Sequence, residues 1–175
     1  MAKLEFGISL SLQAHRRLGE TPDRIYGEAL ELAAEADRLG IRSIWVSEHH
    51  GEDDGYCPSP IVAGAALATA APRCLIGQAI ALAPLYGPPM RLAADLATLD
   101  NITGGRVEIG LGQGYRLSEY QQMGLDYKTR TRAFEEILGI LERAWTGETF
   151  DWDGKIYSLK GARLSPPPVR PGHPP

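Results

Sequence analysis

Four short apolar segments, separated by longer amphipathic ones, constrain the fold of this chain more than any other feature of its sequence. They begin roughly 30 to 40 residues apart, which is typical of repeated βα units and too far for hairpins. We therefore predict an α/β fold with a parallel sheet. Periodicity alone does not choose between an open doubly wound sheet and a barrel. The predicted strands are 5–10, 43–48, 75–83 and 107–111, and the predicted helices are 21–39, 59–71, 90–101 and 131–145.

The end of the chain follows a different pattern. Residues 149–160 alternate enough to predict a hairpin around Asp153 and Gly154. Residues 164–175 contain six prolines and no periodicity, so they predict an extended connector that cannot join a central strand. We expect residues 149–175 to lead from the fourth unit toward a fifth strand.

Composition and charge exclude several classes of function. The net charge is -4 with no basic run, which argues against nucleic acid as a partner. Gly, Pro or a charge interrupts every apolar stretch, so we predict no membrane segment. Cys57 and Cys74 lack CxxC spacing, which indicates reduced thiols and a cytoplasmic protein rather than a disulfide scaffold.

The segment SIWVSEHH, residues 43–50, carries the strongest chemical signal. It is an apolar strand that ends in a carboxylate and two imidazoles, where α/β folds place catalytic groups. Because strand side chains alternate, His49 is expected on the face opposite the helix-packing residues. It is a candidate acid or base, although both histidines could instead form loop hydrogen bonds. The alternation predicts Trp45, Ser47 and His49 on one face and Ile44, Val46, Glu48 and His50 on the other.

Other motifs are weaker. Adjacent histidines point apart and no HExxH is present, so we predict no metal site. The glycines of IGLGQGYR, at Gly110, Gly112 and Gly114, suit either close approach of a ligand or a tight turn. Their spacing is not GxGxxG, and neither a P-loop nor GxSxG occurs. Gln78, in a buried strand, is expected to bond to neighbouring structure rather than to a ligand.

The combined order of these pieces resembles the luciferase-like flavin-dependent monooxygenase superfamily. The resemblance rests on EFGISL, IWVSEHHG, IGQAIALAPLYGPPMRLAADLATLDNITGGR, VEIGLGQGYR and DYKTRTRAFEEILGIL, which together cover nearly the whole chain. It implies a (β/α)8 TIM-barrel fold, of which residues 1–175 would supply about the first four βα units as the N-terminal part of a single domain. Such barrels typically have about 250 residues, so we expect a fragment of a longer enzyme, or two chains completing one barrel. We also expect negligible tight flavin binding by these residues alone.

The resemblance also implies site residues. His49 matches the histidine that bacterial luciferases use as catalytic base. Ala79 and Ile80 match residues beside the flavin ring, and Gln113, Gly114 and Tyr115 match a loop that reaches the flavin. Luciferase has an arginine where this chain has Gln113.

The activity implied is a monooxygenase that acts on a small organic substrate with dioxygen and FMN, reduced by a flavin reductase or by NAD(P)H. One alternative is hydride transfer with a deazaflavin coenzyme. Another is a truncated barrel without catalysis that serves as a flavin-binding or interaction module. Alanine-rich helices at 59–71 and 90–101 match the helices through which the family commonly dimerises, and we expect a homodimer.

Overall fold

The computed structural model describes residues 4–169, which form two compact units. The first runs through Ala81 and includes Arg106–Gly110, and the second comprises Leu82–Gly105 and the chain from Leu111 onward. In the described residues the strands are β1 (Gly7–Leu10), β2 (Ser43–Val46), β3 (Leu75–Leu82), β4 (Val107–Gly112), β5 (Phe150–Asp153) and β6 (Ser158–Ala162). The helices are α1 (Pro22–Arg38), α2 (Pro60–Ala70), α3 (Pro89–Thr103), α4 (Leu117–Gln122) and α5 (Arg130–Ala144).

Four strands form one sheet in the order β1–β2–β3–β4. β1 pairs in parallel with β2, and β2 pairs in parallel with β3, with Trp45 opposite Gly77 and Val46 opposite Gln78. This sequential parallel order is what repeated βα units produce. The α/β class with a parallel sheet, predicted from the spacing of the apolar segments, is confirmed.

The two faces of the sheet in the first unit differ sharply. Ile44, Val46 and Ile76 are fully buried and pack into a core with α1 and α2, for example with Ala33 and Leu67. On the opposite face the Trp45 indole lies over Gly77, where a Cβ atom would collide with the ring. The Trp45 Nε1 also donates to the Ser43 hydroxyl at 2.9 Å. Glycine at position 77 therefore makes room for the indole.

Gln78 departs from the expectation that it bonds to neighbouring structure. Its side chain is fully buried, yet neither amide atom has a hydrogen-bond partner among the described residues. The expectation was wrong because a strand pattern shows that a residue is buried but not whether a polar neighbour lies within reach.

The second unit is organised around α3 and α5. The buried Trp145 indole, just after α5, donates to the carbonyl of Ala93 in α3 at 3.2 Å. The β5–β6 hairpin pairs in antiparallel fashion where the sequence predicts one, although β6 ends at Ala162, beyond the predicted end at residue 160. Trp152 of this hairpin packs against Gly139 of α5, where the missing side chain leaves space for its ring.

Glu136 of α5 anchors the turn of this hairpin. Its carboxylate accepts backbone hydrogen bonds from Lys155 at 2.8 Å, from Ile156 at 3.2 Å and from Tyr157 at 3.0 Å. Burial acts to raise the pKa of this carboxyl, but the three backbone donors outweigh it and hold the pKa below its usual value. The anchor is therefore complete above the unfolded-state pKa and weakens as the pH falls toward the lower folded-state value.

The proline-rich segment after β6 is held against the end of α3. Asp100 Oδ2 accepts from the Val169 backbone N–H at 2.7 Å, and the Asn101 amide donates to the Pro167 carbonyl at 2.9 Å. The rest of the predicted connector, residues 170–175 with His173, lies outside the described residues. Within residues 4–169, no helix is long and apolar enough to cross a membrane.

Candidate active site

The chain beyond β2 places its ionisable side chains on alternating sides, as predicted for residues 44–50. Glu48 is 3% exposed, and its Oε1 lies 2.6 Å from Nε2 of His50. Ser47 and His49 are half-buried on the other side, where both contact Tyr56. The two adjacent histidines are therefore held in separate environments, His50 against Glu48 and His49 against Tyr56.

His49 is held against an aromatic ring. Its imidazole meets the Tyr56 ring edge to face, with centroids 4.8 Å apart and planes at 75°. The Tyr56 hydroxyl is hydrogen-bonded to the Ser47 hydroxyl at 2.7 Å. The backbone N–H of His49 donates to the Cys57 carbonyl at 3.3 Å, which ties the strand end to the returning loop.

Asp54 ties that loop to the segment after β1. One of its carboxylate oxygens accepts from the Gln13 amide at 2.6 Å, and the other accepts from the Tyr56 backbone N–H at 3.2 Å. Its carbonyl accepts from the Ala14 N–H at 2.8 Å. The position of Tyr56 is thus set by contacts from two separate loops.

Behind this loop, Cys57 is fully buried, and burial raises the pKa of its thiol. Burial also raises the pKa of Tyr26, which bonds to that thiol, to about 12. Both groups stay protonated at neutral pH, so Cys57 is not an activated nucleophile. The two free cysteines, Cys57 and Cys74, are both buried.

Ala79 and Ile80 lie in the first unit, near the carboxyl end of β3. Both are exposed, Ile80 to 46%, and the peptide bond between them is cis. A Cβ atom on Gly110 would lie 2.6 Å from Cγ2 of Ile80 and 2.8 Å from the Gln78 carbonyl. At Gly110, strand packing accounts for the glycine without any ligand.

Gln113, Gly114 and Tyr115 lie in the second unit, directly after β4. The Oε1 of Gln113 accepts from the Thr131 hydroxyl at 2.7 Å, and its carbonyl accepts from the Tyr120 hydroxyl. Gly114 has φ of 75°, a conformation that favours glycine. Tyr115 is 68% exposed, and its carbonyl accepts from the Tyr127 hydroxyl at 3.0 Å.

Four residues that support these segments escaped sequence reasoning: Tyr56, Tyr120, Tyr127 and Thr131. Tyr120 is buried in the short α4, burial raises its pKa to about 12, and its ring meets Tyr127 edge to face at 5.4 Å. A six-residue helix such as α4 is too short to show a hydrophobic period, so the sequence pattern did not indicate that Tyr120 is buried. Among residues 4–169, no group of three or more His, Cys, Asp or Glu side chains is placed to hold a metal ion.

Known proteins with similar sequences include two kinds of coenzyme user. The oxygenase component of flavin-dependent trigonelline monooxygenase from Acinetobacter baylyi is 29% identical over 158 residues, which are 89% of this chain and 43% of that protein. F420-dependent glucose-6-phosphate dehydrogenase from Amycolatopsis mediterranei is 27% identical over 150 residues, which are 82% of this chain and 45% of that protein. The chain therefore spans about half the length of the relatives that it matches.

A solved structure also matches nearly the whole of this chain and about half of its own. The crystal structure of monooxygenase RslO1 from Streptomyces bottropensis superposes with a TM-score of 0.89 and 28% identity, covering 98% of this chain and 52% of RslO1. The predicted fold class is confirmed: the chain is α/β and of the TIM-barrel type, and it matches about half of such a protein. The sequence matches luciferase-like monooxygenases over residues 4–175, and the chain belongs to the luciferase-like monooxygenase family.

Proposed function

We propose that this chain supplies the β1–β4 part of a cytoplasmic flavin-dependent monooxygenase that acts on a small organic substrate with reduced FMN and dioxygen. One observation carries the proposal: the His49 imidazole stands just beyond the carboxyl end of β2, against the ring of Tyr56. Family membership supports the reaction class. The two buried free thiols suit a reducing compartment.

In the first unit, Ala79 and Ile80 fit a flavin ring. Both expose apolar side chains near the carboxyl end of β3, and such surface packs well against a flat aromatic system. We assign these two residues to the face of the isoalloxazine ring. When bound, reduced flavin supplies the electrons that activate dioxygen.

In the second unit, Gln113, Gly114 and Tyr115 fit the edge of a cofactor. The Thr131 hydroxyl donates to the Oε1 of Gln113 and so fixes the orientation of the amide. The NH2 group of that amide is the donor that the side chain can offer to a ligand. Gly114 lets the backbone approach closely, and the exposed Tyr115 ring offers an aromatic surface.

His49 is proposed to move the proton. Imidazole can accept and give protons near neutral pH, which oxygen transfer to a substrate requires. His50 is engaged with the buried Glu48 and is assigned a supporting role at the loop.

Oxygen consumption tests the coenzyme. With the complete enzyme of which this chain is the β1–β4 part, and with photoreduced FMN, we expect dioxygen uptake above the rate of free FMN, because the reaction needs an electron donor that reacts with oxygen. The reduced FMN could come from a partner reductase or from NAD(P)H. No uptake above that background would refute the monooxygenase.

A deazaflavin-dependent hydride transfer is the second candidate, and the similarity to F420-dependent glucose-6-phosphate dehydrogenase favours it. Deazaflavin absorbance bleaches on reduction. Substrate-dependent bleaching without oxygen uptake would therefore establish this alternative in place of the first.

We also propose that the chain forms a homodimer through α2 and α3. Each helix exposes a large apolar side chain, Val62 at 70% and Ile102 at 57%. Burying such residues against a second copy removes apolar surface from water. Light scattering at micromolar concentration is expected to give twice the mass of one chain, and a monomeric mass would refute the pairing.

A further inference from the structure

We propose that Tyr56 is a positioning residue for His49, and that it acts through its hydrogen bond to Ser47. The catalytic consequence rests on the proposed function, whereas the positioning itself does not. Tyr56 lies in the loop after β2 and is neither a family-implied site residue nor part of a recognisable motif.

The alternation of the chain creates the geometry. Ser47 and His49 are two residues apart on one face, which separates them by roughly 7 Å along an extended backbone. Tyr56 spans that separation, with its hydroxyl at Ser47 and its ring at His49. One tyrosine side chain therefore contacts both residues of this face beyond β2.

A second observation is that the tyrosine is held at two points and the residue after it at a third. Its hydroxyl bonds to Ser47 at 2.7 Å, and its backbone N–H bonds to Asp54 at 3.2 Å. The next residue, Cys57, accepts from the backbone N–H of His49 at 3.3 Å. The ring that meets His49 therefore has little freedom to move away from it.

An imidazole needs such a contact to keep one orientation. The terminal torsion of histidine is broad, so the backbone alone does not set the plane of the ring. An edge-to-face contact sets that plane without requiring a hydrogen bond from a ring nitrogen. The Tyr56 ring is therefore placed to help fix the plane of the His49 imidazole.

Three variants separate the contribution of the Tyr56 ring from that of its hydrogen bond to Ser47. Tyr56→Leu removes the ring, Tyr56→Phe keeps the ring but removes the hydroxyl, and Ser47→Ala removes the partner of that hydroxyl. Tyr157→Phe, in the hairpin of the second unit, is a matched control. NMR of the 175-residue chain reports the imidazole proton shifts of His49, which depend on the neighbouring ring current. Steady-state kinetics of the complete enzyme, of which this chain is a part, reports kcat and KM.

We expect Tyr56→Leu to move the His49 resonances toward those of an exposed histidine and to lower kcat about 10-fold, with KM for flavin unchanged. Tyr56→Phe and Ser47→Ala should each give a smaller loss of about 3-fold, and the double variant should be no worse than either, because they share one hydrogen bond. The Tyr157→Phe control should show neither change.

Unchanged His49 resonances in Tyr56→Leu would overturn the proposal, as would a loss confined to KM. If Tyr56→Leu fails to fold, the Phe and Ser47→Ala variants carry the same test. Shifted resonances together with full activity in His49→Ala would instead defeat the assigned role of His49 and leave the positioning intact.

Discussion

Replacing His49 with alanine is expected to lower kcat by about 10²- to 10⁴-fold, the usual contribution of a positioned acid or base. The imidazole is half-buried rather than part of the core, so the folded chain should keep its structure. Stopped-flow oxidation of the reduced coenzyme by the complete enzyme, with substrate present, measures the loss. Circular dichroism and the melting temperature verify the fold.

His15→Ala is the matched control, since His15 lies exposed in the loop after β1. It should leave kcat unchanged. His50→Ala should behave differently again, lowering the melting temperature because it takes away one partner of the buried Glu48 carboxylate. Full activity in His49→Ala would show that the enzyme does not use His49 as a base.

Gly77→Ala is expected to destabilise the protein by about 1–3 kcal/mol, the usual range for overpacking a core. The new methyl group would enter the space of the Trp45 indole, which the Ser43 hydroxyl also holds in place. Urea unfolding measures the effect as a lower midpoint at an unchanged m-value.

The same substitution at another position, Gly27→Ala, is expected to stabilise the protein rather than destabilise it. Gly27 lies exposed within α1, and a Cβ atom there meets nothing within 4 Å. Alanine should therefore stabilise the helix by about 0.5–1 kcal/mol. Trp45→Leu combined with Gly77→Ala should lose less stability than the two single changes together, because the smaller side chain vacates the space. Equal effects of alanine at positions 27 and 77 would contradict this account of Trp45.

The regular elements could be predicted because their signals are local. Strands β2 and β3 agree with the predicted segments within two residues, and α1 begins at Pro22, as its start signal indicated. Helix α4 was missed because six residues, Leu117–Gln122, are too short to show an apolar period. The missing partner of Gln78 depends on which atoms reach it in three dimensions, and no linear pattern contains that.

The candidate site was only partly predictable, for a related reason. Alternation assigned His49 and Glu48 to opposite faces, because that rule acts between adjacent residues. Tyr56 reaches His49 across an irregular loop, which Asp54 holds through contacts to Gln13 and Ala14 after a different strand. Contacts of this kind follow from the folded path of two loops and leave no period in the sequence.

The two adjacent histidines differ in their surroundings because neighbouring side chains of an extended chain point to opposite sides. His50 meets the carboxylate of Glu48, two residues before it, whereas His49, at the odd position between them, meets Tyr56. Insertion or deletion of a single residue between Val46 and Ser47 would carry His49 to the side opposite Tyr56 and would bring the Glu48–His50 pair toward Tyr56, whereas a change of two residues would restore the arrangement. Natural length variation in this stretch should therefore occur in even steps, and a one-residue change would have to be accompanied by a swap of residue types.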